Sequence, residues 1–146
     1  MKIVILSGFF NPLHGGHLDM IEEASHMGDK LVMIVNNDIQ QKLKKGKIIL
    51  DEQNRLRLIR ALKYVDDAVL AIDDQPPVIE TLRMIAKKYP KDELIFANGG
   101  DRSSPSVVPE LDVCKEYNIE MVYGVGGANK ADSSTRINQA TGHEVA

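Results

Sequence analysis

Two histidines in the first part of the chain are the residues whose types and spacing could do chemistry. His14 and His17 stand three residues apart in SGFFNPLHGGHLDMI, residues 7–21, with Gly15 and Gly16 between them. Imidazole can transfer a proton, donate a hydrogen bond to a phosphate oxygen or bind a metal ion. An ordinary turn, in which the imidazoles only satisfy neighbouring backbone groups, is the competing interpretation. It is the better one for an H-x-x-H pattern taken alone.

The surroundings of the pair favour anion binding over metal binding. The stretch precedes a segment of helical period, so His17 falls near the start of a helix, where N–H groups and the positive end of the helix dipole attract anions. Zinc would need further ligands, and the single cysteine, Cys114, and the distant His26 and His143 do not supply them. The glycines match neither the P-loop nor the dinucleotide-binding fingerprint. We therefore expect a phosphate contact here and no metal site in the protein.

Five short apolar runs alternate with segments of helical period. The runs are continuous, which predicts parallel strands buried on both faces. The chain therefore predicts a single α/β domain over residues 1–146, in which a Rossmann-like, doubly wound, five-stranded parallel sheet has helices on both faces. The predicted order is β-α-β-α-β-α-β-α-β. The runs are IVIL at 3–6, LVMIV at 31–35, AVLAI at 68–72, LIFA at 94–97 and MVYGV at 121–125.

The helical segments between these runs have recognisable faces and ends. Asp51 is a plausible N-cap, and Pro90 lies just beyond the end of the third segment. Cys114 falls in the fourth segment, where a small buried hydrophobic residue is its simplest interpretation. The predicted buried faces comprise Leu18, Ile21 and Ala24; Leu56, Ile59 and Leu62; Ile79, Leu82, Ile85 and Ala86; and Val108, Leu111 and Cys114.

Ligands of doubly wound folds bind at the carboxyl ends of the strands, where the strand order reverses. Three loops of this chain fall at such ends and are rich in Gly, Ser, Asp, His and Arg. They are the histidine loop, NGGDR at 98–102 and the loop leading to SSTRI at 133–137. We expect the functional site where these loops meet.

Bulk composition excludes several function classes. The chain has 146 residues and a net charge of -3, which gives no broad basic surface for nucleic acid. The apolar runs are far shorter than the ~20 residues of a membrane-spanning helix. The amino terminus leads straight into a strand and predicts no secretory signal, and one cysteine fits a reducing compartment. We therefore expect a cytoplasmic protein.

The residues around the histidines resemble the signature of a known enzyme family. GFFNPLHGGH resembles the GxFDxxHxGH of the cytidylyltransferase-like nucleotidyltransferases. The likeness continues, in the family's order and over nearly the whole chain, in GDKLVMIVNND, KLKKGK, KYVDDAV, GGDR and SSTRI. The resemblance implies nucleotidyl transfer from an NTP, with Mg²⁺, to a small phosphomonoester, with release of pyrophosphate. It also implies a homodimer.

The resemblance assigns roles to individual residues. His14, His17 and Lys44 would be catalytic, the imidazoles holding the α-phosphate and the lysine neutralising the transferring group. Arg55 and Asp66 would orient a helix and a strand. The residues implied to bind nucleotide are Gly8, Phe9, Phe10, Gly16, Gly100, Asp101, Arg102, Ser133, Ser134 and Thr135.

The departures from the signature concern the base and the acceptor. Glycerol-phosphate cytidylyltransferases carry RTxGIS before their last motif, where this chain reads ANKADSS. The lysine loop and KYVDDAV favour cytidylyl transfer, whereas GGD and the missing arginine favour adenylyl transfer of the heptose-phosphate or FAD synthetase type. We narrowly favour CTP, with glycerol 3-phosphate or a sugar phosphate as acceptor. A non-catalytic nucleotide-binding module on the same fold ranks below the enzyme because no signature histidine or lysine is lost.

Overall fold

The structure of the protein is a computed structural model that describes residues 1–11, 13–45, 47–99 and 109–125. Within these ranges, strands and helices alternate along the chain except that two helices follow one another between the second and third strands. The strands are β1 (Lys2–Gly8), β2 (Lys30–Val35), β3 (Asp67–Leu70), β4 (Glu93–Gly99) and β5 (Glu120–Val125). The helices are α1 (Gly15–Ser25), α2 (Asp38–Lys45), α3 (Glu52–Arg60), α4 (Ile79–Lys88) and α5 (Leu111–Glu116).

The described strands form a parallel sheet of order β3-β2-β1-β4-β5. From β1 the chain steps outward through β2 to β3 and then returns to β4 on the other side of β1. The strand order therefore reverses between β1 and β4, where Leu6 is paired with Ala97. This confirms the predicted doubly wound parallel sheet and places the ligand crevice of such folds at the carboxyl ends of these two strands.

Alternate residues of β1 face two separate hydrophobic cores, because successive side chains of a strand point to opposite faces. Ile3 and Ile5 belong to the core that also contains Leu82 of α4 and Cys114 of α5. On the other face of the sheet, Val4 and Leu6 belong to the core that contains Ile21 of α1 and Ile59 of α3. Burial on both faces explains why the strands have continuous apolar sequences.

The structure corrects the prediction at helix α2. KLKKGK, residues 42–47, was predicted to lie in a loop, whereas the backbone of Asp38–Lys45 is helical. The helix buries polar side chains and exposes apolar ones, which is the reverse of the usual amphipathic pattern. Gln40 and Gln41 are buried, while Ile39 and Leu43 are 59% and 56% exposed. A search for a buried apolar face therefore passes over it.

Smaller predictions about the helices have mixed outcomes. Leu18 was expected on the buried face of α1 but is 41% exposed, and the buried residues of that helix are Ile21 and Ala24. The predicted Asp51 cap of α3 is confirmed, since its carboxylate accepts the backbone N–H of Asn54 at 2.9 Å. None of the helices in the described part of the chain has the length and apolar character needed to cross a membrane.

Candidate functional site

The two histidines together cap the amino terminus of the first helix. His14 is the N-cap of α1, and its Nδ1 atom accepts a hydrogen bond from the backbone N–H of Gly16 at 3.0 Å. In return, the backbone N–H of His14 donates to Nδ1 of His17 at 3.3 Å. This reciprocal arrangement is a capping box, usually built from Ser or Thr and Glu, made here from two imidazoles. The structure therefore shows the capping role of the pair, and its role in catalysis stays a prediction.

The capping bonds fix which nitrogen of each ring carries the proton. A neutral imidazole has one donor and one acceptor nitrogen, and Nδ1 is the acceptor in both His14 and His17. The proton of each neutral ring is therefore on Nε2. The helix cap thus turns both imidazoles into N–H donors at the end of the ring away from the cap.

Ring packing holds the pair in one geometry. The rings of His14 and His17 are stacked with centroids 3.8 Å apart and planes 25° from parallel. The ring of Phe10 meets His17 edge-on, with centroids 4.9 Å apart. Donors whose rotamers are locked by packing and capping are preorganised for a charged ligand.

Phe10 reaches this position through an unusual backbone conformation. Its φ of 52° is in the left-handed region, which costs a non-glycine residue free energy. The residue is only 1% exposed, so burial of its ring offsets that cost. The same ring explains Gly8, because a Cβ atom on Gly8 would be 2.6 Å from Cζ of Phe10. The packing of Phe10 therefore requires glycine at position 8, and the nucleotide contact of Gly8 stays a prediction.

Backbone groups of the loop are engaged by neighbouring elements. The carbonyl of Phe9 accepts from Nη1 of Arg55 at 2.8 Å, and that of Gly8 accepts from the N–H of Asn36 at 2.9 Å. The N–H of Gly16 already has the acceptor Nδ1 of His14. These bonds hold the predicted nucleotide-binding residues Gly8, Phe9 and Gly16 in place beside the histidines.

Lys44, the third predicted catalytic residue, is in the last turn of α2, and only its backbone is described. The helix starts at the carboxyl end of β2, the strand next to β1. The lysine-bearing helix and the histidine loop therefore begin at the same edge of the sheet, and the catalytic role of Lys44 stays a prediction.

Two buried amide side chains that the sequence analysis did not single out join these segments. Oδ1 of Asn11 accepts from the N–H groups of Ile49 and Leu50, both at 2.9 Å. Nδ2 of Asn11 donates to the carbonyl of Lys47 at 3.3 Å, and Nε2 of Gln41 donates to the same carbonyl at 3.0 Å. Segment 47–50, which follows the lysine-rich sequence, is thereby attached to the loop that carries His14. The signal in the sequence was Asn11 at the position of the signature's aspartate.

Arg55 is the anchor of this edge of the sheet. The residue is 0% exposed and bonds three backbone carbonyls, at Phe9, Asn36 and Leu50, and the carboxylate of Asp38 at 2.7 Å. It therefore connects the loops after β1 and β2 with the starts of α2 and α3. Its predicted orienting role agrees with these contacts. Asp66, whose carboxylate accepts the N–H of Leu31 at 2.8 Å, likewise holds backbone.

The other predicted site residues lie outside the described residues. These are Gly100, Asp101 and Arg102 after β4 and Ser133, Ser134 and Thr135 near the carboxyl terminus. The strand that leads to the first group is described, and it runs beside β1 as expected. At its end, Nδ2 of Asn98 donates to the carbonyl of Val122 at 3.3 Å and holds β4 against β5.

The described residues contain no group of three His, Cys, Asp or Glu side chains that could hold a metal ion.

Comparison with known proteins gives a consistent set of relatives. The sequence profile of the family described as cytidylyltransferase-like matches residues 5–139. The bifunctional protein HldE of Geobacter metallireducens is 32% identical over 98% of this chain and 28% of its own length. The FAD synthase of Ferroglobus placidus is 42% identical over 51% of this chain and 48% of its own length. The chain thus spans less than a third of the HldE protein and about half of the FAD synthase.

Solved structures show the same fold. The lipopolysaccharide core biosynthesis protein from Thermoplasma volcanium superposes with a TM-score of 0.67 and is 28% identical, over 90% of this chain and 99% of that one. A protein from Vibrio parahaemolyticus described as a putative nicotinate-nucleotide adenylyltransferase has a TM-score of 0.62 over 95% of this chain and 85% of its own. Its identity of 20% supports the fold alone.

Proposed function

The chain belongs to the cytidylyltransferase-like family, as its sequence predicted, and from this premise we propose that it transfers a nucleotidyl group from an NTP to a small phosphomonoester. One observation supports the proposal above the others. The capping box of His14 and His17 places two N–H donors side by side at the carboxyl end of β1. Donors held in a single tautomer suit a phosphate on which negative charge builds during the reaction.

The reaction requires positioning and charge stabilisation more than covalent chemistry. A phosphate oxygen of the acceptor attacks the α-phosphorus of the NTP, the new P–O bond forms, and the bond to the bridging oxygen breaks as pyrophosphate leaves. The Nε2–H groups of His14 and His17 donate to the α-phosphate and the bridging oxygen, where negative charge accumulates. Preorganised donors of this kind typically contribute about 3 kcal/mol each to the transition state.

Lys44 supplies positive charge to the phosphates in this proposal, and Mg²⁺ that enters with the NTP would supply further charge neutralisation there. Residues Gly100 to Arg102 and Ser133 to Thr135 are the proposed contacts to the nucleotide. Asn11 and Arg55 hold the histidine loop and the segment after α2 in a fixed relation. Their proposed role is to position the catalytic groups.

Release of pyrophosphate tests the proposal. The four NTPs are each incubated with Mg²⁺ and a set of small phosphomonoesters, including glycerol 3-phosphate, hexose and heptose phosphates, and FMN. We expect at least one pair to turn over and His17→Ala to lower turnover about 100-fold or more. If no pair releases pyrophosphate, or if His17→Ala is as active as the parent, the proposal is wrong. Nucleotide binding in a calorimeter without turnover would instead indicate a binding module.

The identity of the base is part of the same proposal. The lysine-rich segment and KYVDDAV favour CTP narrowly. ATP is the second candidate, and the likeness to an FAD synthase over half of the chain favours it, since the product of that enzyme contains an adenylyl group. The ratio of kcat/KM for CTP and ATP with the best acceptor decides between them.

A homodimer is the proposed assembly. We expect light scattering after size exclusion to give twice the mass of the 16.2 kDa chain. A mass of one chain at every concentration tested would exclude the dimer and leave the proposed reaction unaffected.

A further inference from the structure

Gln41 has a buried oxygen atom that the fold does not satisfy. The residue is 2% exposed and faces inward from α2. Its Nε2 donates to the carbonyl of Lys47, but no donor in the described part of the chain reaches its Oε1. Buried polar side-chain atoms are nearly always hydrogen-bonded, so an acceptor left open at this place requires an explanation.

The orientation of the amide follows from its partner. A backbone carbonyl can only accept, so the atom of Gln41 that faces the carbonyl of Lys47 must be the nitrogen. Turning the amide over would place two acceptors against each other and lose this bond. The open atom is therefore an acceptor, and the group that completes it must be a donor.

The open oxygen is close to the proposed catalytic loop. Gln41 and Asn11 donate to the same carbonyl oxygen, so their side-chain amides are neighbours. Asn11 precedes His14 by three residues in the loop after β1. A molecule bound between this loop and α2 could therefore contact both the histidines and Gln41.

The neighbouring residue on the same helix shows that an open amide is not required by the fold. Oε1 of Gln40 accepts from Nδ2 of Asn36 and from the N–H of Asn37, and its Nε2 donates to the carbonyl of Gln75. Gln40 is 0% exposed and all of its polar groups have partners. Two adjacent buried glutamines thus differ in one property, the unused acceptor of Gln41.

We propose that Oε1 of Gln41 accepts a hydrogen bond from a hydroxyl group of a bound substrate and so selects hydroxylated substrates. This inference rests on the proposed nucleotidyl transfer. A neutral hydroxyl suits the position better than an ammonium group, because a buried cation would need a carboxylate beside it. Asp38, at the start of the same helix, already pairs with Arg55. The hydroxyl belongs either to the phosphomonoester or to the ribose of the NTP.

A substrate-by-variant comparison tests the proposal. The acceptor that turns over best is compared with its analogue lacking the hydroxyl next to the phosphate-bearing carbon; for glycerol 3-phosphate this is 1,3-propanediol phosphate. The best NTP is compared in parallel with its 2′-deoxy and 3′-deoxy forms. Each comparison uses the parent and Gln41→Met, which has similar volume and no amide. We expect Gln41→Met to lower kcat/KM about tenfold for the hydroxylated substrate and to leave the deoxy analogue unchanged.

The two arms identify the source of the hydroxyl. Loss of discrimination in the acceptor arm assigns it to the phosphomonoester, and loss in the NTP arm assigns it to the ribose. Equal effects of Gln41→Met on hydroxylated and deoxy substrates in both arms would overturn the proposal. If the parent turns over no pair at all, the proposed function itself fails, and the inference about Gln41 fails with it.

Two further variants separate substrate contact from structure. Gln41→Glu keeps an acceptor oxygen, and its carboxyl group in the protonated form still donates to the carbonyl of Lys47, so we expect it to retain the discrimination even if Gln41→Met folds poorly. If Gln41→Glu has the circular dichroism spectrum of the parent and yet loses the discrimination, the proposal is wrong. Gln40→Met is the matched control. It removes a satisfied amide, so we expect a larger fall in melting temperature than for Gln41→Met and an unchanged preference for the hydroxyl.

Discussion

At the scale of single residues, each imidazole of the histidine loop has two tasks at its two nitrogen atoms. Nδ1 of His14 caps α1, and the opposite nitrogen is the proposed donor to phosphate. A suitable substitution can therefore separate stability from catalysis. Asparagine is such a residue, because it is a good N-cap and has no nitrogen at the far end of a ring.

We predict that His14→Asn lowers turnover about 100-fold while the free energy of unfolding changes by less than about 0.5 kcal/mol. His14→Ala should lose the same activity and, in addition, about 1 kcal/mol of stability, because the N–H of Gly16 loses its acceptor. Pyrophosphate release and urea denaturation of the three proteins measure both quantities. Full turnover by His14→Asn would contradict the proposed role of the imidazole.

Cys114 is the other residue with a specific expectation. Burial raises the pKa of its thiol to about 12, and the nearby carboxylate of Glu110 acts in the same direction. The thiol of the folded protein is thus protonated at pH 8, whereas an unfolded chain begins to ionise there. We predict that a disulfide reagent labels the native protein roughly a thousandfold more slowly than the protein denatured in guanidinium chloride. Equal labelling rates would show that the thiol is accessible in the native state.

The same shift has a consequence for stability at high pH. The unfolded thiol loses its proton near its ordinary pKa of 9.0, while the folded one keeps it until about 12. The unfolded state therefore binds fewer protons in this interval, and the contribution of Cys114 to stability falls as the pH rises through it.

At the scale of the helices, we expect substitution of Arg55 to lower the free energy of unfolding more than substitution of a surface ion-pair residue does. Removing its guanidinium leaves the carbonyls of Phe9, Asn36 and Leu50 without this donor and Asp38 without its partner. We predict that Arg55→Met lowers the free energy of unfolding by about 3 kcal/mol or more. Arg57→Met, two residues along α3 at an exposed position, should change it by less than about 0.5 kcal/mol. Similar losses for the two variants in chemical denaturation would contradict the anchoring role.

At the scale of the whole molecule, β1 contributes to the cores on both faces of the sheet. Ile5 belongs to one core and Leu6 to the other, so neither core can lose its packing while the other keeps this strand. We predict a single unfolding transition, with circular dichroism and calorimetry giving the same midpoint. Ile5→Ala and Leu6→Ala should each lower the stability of that transition by about 2–5 kcal/mol. Two separable transitions would show that the faces unfold independently.

The molecule also shows which of its features a sequence can predict. The strands were predictable because burial on both faces leaves continuous apolar runs. The histidine loop stood out only through its place between the first strand and the first helix and through the companion motifs that follow it in the family's order. Helix α2 was not predictable from its periodicity, since its buried side chains are the polar Gln40 and Gln41 and its apolar side chains Ile39 and Leu43 are exposed. The bonds of Asn11 and Gln41 to Lys47 depend on how distant segments pack, for which local periodicity has no signal.

The close approach of Gly8 to Phe10 limits which substitutions this loop can accept during evolution. A side chain at position 8 would collide with the aromatic ring, and a smaller residue at position 10 would leave the ring's space empty while keeping a strained backbone. Each single substitution is therefore harmful, although the two together could be tolerated. Among descendants of the same ancestor, we expect glycine at position 8 wherever an aromatic residue follows two positions later, and simultaneous replacement of both elsewhere.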